Sequence, residues 1–149
     1  MTATHHIGFK TAPTKIAIDA SRVKLFCKAI GEVDPVYSDA AVARGRGHKG
    51  CLVPPTFLKA LESEHCGSAV LLELLGIPMR HVLHVEQSFT LRIAVHVGDE
   101  VEISREITDL YDKRAGALSF IVVRTRFQVD GALVGESVQT LMARNELAA

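Results

Sequence analysis

The sequence predicts an α+β domain in which a long antiparallel sheet wraps around one buried helix. Three observations carry this reading. Apolar residues recur at helical spacing in the first half of the chain. From residue 82 onward they alternate, as in strands with one covered face. Two alternating runs are joined by only Asp130-Gly131, a dipeptide suited to a type I′ hairpin.

The first helix is expected to begin near Asp19, with Asp19 or Ser21 as its cap. Val23, Phe26, Cys27 and Ile30 then share one face. Gly31 is a natural stop, and Pro35 resists continuation. "SDAAVARGRG" reads as a short helix capped by Ser38 or Asp39, and "GHKGCLVPP" as a loop. Pro54, Pro55 and Thr56 open a third helix, with Thr56 as its cap or Pro55 in its first turn. Phe57, Leu58 and Leu61 make the segment 55–63 the expected centre of the core. "GSAVLLELLGI" adds a further turn or two before Pro78.

Four strands follow. Leu83, Val85, Gln87, Phe89 and Leu91 share one parity in the first, and Val101, Ile103 and Ile107 share one in the second. Ile121, Val123, Phe127 and Val129 line one face of the third, and "ALVGESVQTLM" forms the fourth. With "VGDE", "DKRAG" and "DG" as connections, an antiparallel meander is expected.

Composition narrows the function classes. The 149 residues are 48% hydrophobic, which suits one domain over 1–149. Seventeen basic residues balance seventeen acidic ones and Trp is absent, which points away from nucleic acid and from a charged membrane surface. Cys27, Cys51 and Cys66 lack CxxC spacing and suit a reduced, cytoplasmic protein. "MTATHHIGFK" lacks the pattern of a signal peptide, and "SAVLLELLGIPM", carrying Glu73 and Pro78, is too short for a membrane span. No GxSxG, P-loop or ribose-binding GxGxxG pattern occurs.

Three stretches, "AIGEVDPVYSDAAVA", "CLVPPTF" and "VLHVEQSFTLRIAVHVGDEVEISREITDLYDKRAGALSFIVVRTRF", together with the closing "GALVGESVQTLMAR", resemble the MaoC-like dehydratase family. The likeness is to its N-terminal, fatty-acid-synthase-like dehydratase type and covers nearly the whole chain. It implies a hot-dog fold and (R)-specific hydration of enoyl thioesters, or dehydration of 3-hydroxyacyl thioesters. It implies acyl-CoA or acyl carrier protein as substrate and no cofactor.

Catalytic members of that family carry a motif close to G-D-x-N-P-x-H, whose Asp and His bracket a water. Here Gly31 and Pro35 match, Glu32 stands in place of the Asp, Asp34 replaces Asn and Tyr37 replaces His. A buried Glu can exchange a proton near neutrality, whereas a phenol with pKa about 10 is a poor base. Family members also stabilise the developing enolate with a backbone N–H at the start of the central helix. Pro55 occupies the matching position and has no N–H. The resemblance therefore implies a degenerate, acyl-binding half working with a catalytic hot-dog partner. Activity of this chain by itself, through Glu32 and another group, or a bare turn at Asp34-Pro35 with Asp39 as a cap, are the competing readings.

Thr56 and Phe57 flank Pro55 and join it as candidate substrate contacts. In "ARGRGHKG", Arg46 and Lys49 are candidates to grip a pantetheine or nucleotide phosphate; a solvated loop is the alternative. His84 shares strand parity with Glu86 and is a weak candidate base, against a histidine on a solvated face. His81 and His84 lack a third ligand, so no metal is expected. Val70, Leu71, Leu74 and Leu75 line either an acyl tunnel or plain core. A hot-dog thioesterase using Glu32 or Glu64 and a non-catalytic scaffold subunit remain alternatives. An edge strand at 82–91 predicts a homodimer, or a heterodimer with a catalytic MaoC-like protein.

Overall fold

The computed structural model describes residues 4–145. A four-residue strand, β1 (Thr14–Ala17), leads into helix α1 (Ala20–Ile30). The Asp19 carboxylate caps α1 by accepting the Arg22 N–H at 3.1 Å. Gly31 ends the helix in the left-handed region at φ 74°, where its amide reaches the carbonyls of the last turn. Val23 and Cys27 are buried as expected, but Ile30 is 52% exposed. The apolar cluster beneath α1 reaches Cys27 and no further along the helix, so correct periodicity alone does not bury Ile30.

A 3-10 turn at Pro35–Tyr37 precedes α2 (Ala40–Gly45). Asp39, rather than Ser38, caps α2, accepting the amides of Ala41 and Val42 at 2.7 and 3.2 Å. Helix α3 (Phe57–His65) is the expected central helix, but Thr56 makes no side-chain cap. The Pro54 and Pro55 carbonyls instead accept the Phe57 and Leu58 amides at 2.9 and 3.3 Å. Helix α4 (Ala69–Leu74) follows, and Leu71 and Leu72 are core residues. No described helix is long and apolar enough to cross a membrane.

The sheet comprises β2 (Val82–Leu91), β3 (Glu100–Lys113), β4 (Leu118–Val129) and β5 (Ala132–Arg144), with β1 beside β3. Its order is β1-β3-β4-β5-β2, antiparallel at every pairing. Asp130 and Gly131 have φ 49° and 79°, as a type I′ turn between β4 and β5 requires. The meander is confined to β3, β4 and β5. Strand β2 pairs with the last strand rather than the next one in sequence. Segment 92–99 makes the crossover, anchored by a Leu52–His96 bridge and by the Val53 N–H on the Val95 carbonyl at 2.9 Å.

A bulge corrects the parity of β2. His84 lies opposite Leu141 and Glu86 opposite Thr140, leaving Val85 as the extra residue. His84 and Glu86 thus fall on opposite faces, not on one. Beyond the bulge, Gln87, Phe89 and Leu91 lie opposite Gln139, Ser137 and Gly135 on the inner face.

Two apolar clusters fill the interior. Phe57, Leu58 and Leu61 of α3 pack with Val101, Ile103 and Phe127, while Leu71 and Leu72 of α4 pack with Ile107 and Ile121. This is the hot-dog arrangement, a sheet folded about α3.

Candidate functional site

The GEVDPVY turn is built by its own carboxylates. Asp34 accepts the Val36 N–H at 2.9 Å, and Pro35 presets the backbone between them. The Arg46 guanidinium lies 2.8 Å from both Asp34 oxygens. Arg46 first, and then the Val36 amide, hold Asp34 below the ordinary carboxylate range. Asp34 is therefore a brace for the turn, fully engaged as an anion.

Glu32 accepts the Asp34 N–H at 2.9 Å. With Lys24, Lys28, Asp34 and Tyr37 it lines a cleft of about 400 Å³. Tyr37 also faces a second cleft of about 260 Å³, formed by Leu52, Pro55 and Leu58 together with Leu91–Val95. The phenol is thus the partition between the two spaces. Burial, followed by the charges of Glu32 and Asp34, pushes its pKa above 10.0. Tyr37 can offer a hydrogen bond to a carbonyl or water, but it is a poor base.

The second cleft opens at the start of α3, and of the expected substrate contacts it takes in Pro55 but not Thr56, Phe57, Arg46 or Lys49. Pro55 is exposed there, and Thr56, also exposed, lies outside its lining. Phe57 does not reach it. The ring is 2% exposed and packs edge-on against Phe26 at a centroid distance of 5.4 Å. Arg92, which the sequence does not single out, also borders the cleft, 3.3 Å from Glu136.

Arg46 and Lys49 are committed to ion pairs. Lys49 reaches Asp99 at 2.5 Å, so the two cations strap the loop 46–50 to the turn on one side and to segment 92–99 on the other. Both cations are substantially exposed while Asp99 is largely covered, and a phosphate would have to compete with these carboxylates. His96 beneath the strap is 8% exposed and kept below its ordinary pKa by burial. His84, on the edge strand, sits 3.0 Å from the Glu86 carbonyl and is in neither cleft. Among the described residues no group of three or more His, Cys, Asp or Glu could hold a metal ion.

An internal charge network lies beneath α3, which the sequence motifs do not mark. Arg105 and Glu62 are 2% and 1% exposed, and Arg105 Nε lies 3.2 Å from Glu62 Oε1. The same guanidinium donates to the Cys66 carbonyl at 2.6 Å and to Ser68 Oγ at 3.3 Å. Lys59 Nζ bridges Glu62 Oε1 at 3.0 Å and Gln139 Oε1 at 2.7 Å. Burial lowers the pKa of Arg105, and the Glu62 carboxylate opposes that shift. The sequence did hold a signal: Arg105 interrupts the buried parity of Val101, Ile103 and Ile107.

Comparison with known proteins agrees with this architecture. A family model described as the FAS1-like dehydratase domain region matches residues 5–137. A UPF0336 protein of Streptomyces coelicolor is 29% identical over 97 residues, covering 65% of this chain and 63% of that protein. This chain thus aligns with less than two thirds of that relative. The C-terminally truncated HadBC (3R-hydroxyacyl-ACP dehydratase) complex from Mycobacterium tuberculosis matches with TM-score 0.80 and 22% identity, over 93% of this chain and 97% of the matched one. The (R)-hydratase from A. caviae involved in PHA biosynthesis matches with TM-score 0.71 and 24% identity, over 91% and 94% of the two chains. At these identities the structural likeness speaks for the hot-dog fold alone.

Proposed function

This chain belongs to the FAS1-like dehydratase-domain family within the MaoC-like dehydratases, and from that premise we propose that it is an acyl-thioester hydratase or dehydratase subunit, an acyl-binding half completed by a catalytic hot-dog partner. One observation carries the reading: Tyr37 and, among the described residues, no carboxylate lines the cleft at the start of α3.

Adding water to an enoyl thioester requires one group to take a proton from the water and another to deliver one to carbon. In this cleft Leu58 and Leu91 offer apolar walls, and the Tyr37 hydroxyl offers a hydrogen bond to the thioester carbonyl or to the water. Glu32 lies across the phenol in the other cleft, and Pro55 brings no N–H to the carbonyl. The acyl group can be held here, and the proton transfers fall to the partner.

The partner surface is the outer edge of β2, which among the described residues pairs with β5 alone. Leu83, Val85, Leu91 and Ile93 are 58, 48, 43 and 52% exposed on and beside that strand. Pairing two such edges satisfies their backbone groups and covers these side chains. A second copy of this chain gives the homodimer, and a related catalytic chain gives the active heterodimer.

The test uses the purified full chain with a short enoyl-CoA. Light scattering should show a dimer at micromolar concentration, and enoyl absorbance should decay no faster than in buffer. Robust hydration that disappears in Glu32→Gln would mean that this carboxylate enters the Tyr37 cleft and completes the site within one chain. Robust hydration indifferent to Glu32→Gln would place the chemistry elsewhere. Either result overturns the half-site, and release of free thiol would replace hydration with thioester hydrolysis.

A further inference from the structure

The two walls of the Tyr37 cleft change character at one depth. On the sheet, Leu91 lines the cleft, and Gly135, Phe127 and Ile103 continue its row across β5, β4 and β3, each directly across from the next. A side chain at Gly135 would crowd this row, since a Cβ would meet Leu91 Cδ2 at 3.0 Å and the Thr90 carbonyl at 3.1 Å. The next row on the same face is Arg105, Thr125, Ser137 and Phe89, about 7 Å further in. On the helix, Leu58 faces the cleft, and Glu62 follows four residues later on the same face, about 6 Å along the axis.

Apart from Phe89 on the edge strand, apolar residues therefore give way to a buried polar layer on both sides at once. Arg105, Glu62, Thr125 and Ser137 are all 2% exposed or less. This layer separates the two apolar clusters of the core. Stability does not account for it. Buried ion pairs are often replaceable by packed apolar side chains without loss. Moreover, Glu62 Oε2, Thr125 Oγ1 and Ser137 Oγ are buried with no hydrogen-bond partner among the described residues, so they add nothing to the stability of the layer.

We infer that this layer is the floor of the acyl cleft and restricts the protein to short acyl chains. The inference rests on the acyl-thioester reading above. A methylene buried against Leu58 or Leu91 strengthens binding about fourfold. One that presses on the Glu62–Arg105 pair gains nothing, because it displaces no water from an apolar wall and strips the charges of their polar surroundings. A depth of about 6 Å takes roughly five bonds of extended chain, at about 1.2 Å per bond.

Calorimetry with the intact dimer and saturated acyl-CoA esters, which cannot be hydrated, tests this. Affinity should climb about fourfold per methylene from acetyl to hexanoyl and then level or fall at octanoyl and decanoyl. In Glu62→Met with Arg105→Met the climb should continue, binding decanoyl-CoA at least about tenfold more tightly than the parent while butanoyl-CoA is unchanged. Thr125→Val with Ser137→Ala keeps the ion pair, removes the hydroxyls with little change of shape, and should move decanoyl-CoA in the same direction by a smaller factor. An unbroken climb in the parent overturns the inference, as does a folded variant that keeps the parent's profile. Binding that is independent of chain length overturns it and leaves the acyl-thioester reading standing through the CoA moiety. Absence of binding at every length overturns both.

Discussion

Replacing Arg105 by methionine keeps most of its stem and removes the charge from beneath α3. The guanidinium lies 3.2 Å from Glu62 Oε1 and donates to the Cys66 carbonyl and to Ser68 Oγ, at 2% exposure. Without it, Glu62 at 1% exposure keeps only the Lys59 ammonium, 3.0 Å away, as its charged partner. Breaking a buried pair from one side typically costs about 3–5 kcal/mol, because the abandoned charge remains desolvated. Lys59 places this case at the lower end, about 3 kcal/mol, a large share of the roughly 5–15 kcal/mol that holds a domain together. Glu62→Met added to Arg105→Met removes the stranded charge. The double variant should return to within about 1 kcal/mol of the parent or exceed it. Urea unfolding at fixed protein concentration measures both, with unchanged m-values as the control for a common unfolding reaction. A loss below about 1 kcal/mol in Arg105→Met, or a double variant as unstable as the sum of the singles, would refute the coupling.

Phe57→Ala should cost about 3–5 kcal/mol in the same assay, since it empties a fully buried site and removes the edge-on contact with Phe26. A change under about 0.5 kcal/mol would mean that α3 is not the centre of the core. An ultraviolet titration should place the Tyr37 midpoint above 10.0, with Tyr37→Phe identifying the signal. Because the folded phenol holds its proton to higher pH than the unfolded chain, its contribution to stability is present below about pH 10 and is lost as pH rises through the folded value. A Tyr37 midpoint at or below 10.0 contradicts the account of a desolvated phenol beside two carboxylates.

The candidate site was only partly legible in the sequence. Asp34, Pro35 and Tyr37 mark a turn by their types alone, because an Asx side chain and a proline act within two residues of themselves. That Tyr37 divides two clefts, with Glu32 on one side and Pro55 on the other, depends on where α1 and α3 stand relative to each other. Phe57 follows Pro55 and Thr56 directly, yet the first turn of α3 aims its ring into the core instead of the cleft. Arg46 and Lys49 looked available for a phosphate until the fold brought Asp34 and Asp99 within reach of them.

What the sequence by itself determined is the set of features that depend on near neighbours. Asp19, Gly31 and Asp39 set helix ends, Asp130-Gly131 sets a hairpin, and alternation marks the strands, because caps, turns and side-chain periods act over four residues or fewer. Only the tertiary structure decided that β2 joins β5, that Val85 bulges and inverts the parity of His84, and that Ile30 stays in solvent. The four-residue β1 is too short to show a period and exists through its pairing with β3. Arg105 and Glu62, 43 positions apart, meet under the same rule. Strand pairing and burial are settled by which distant surfaces can be covered together, and the local pattern of residues does not encode that choice.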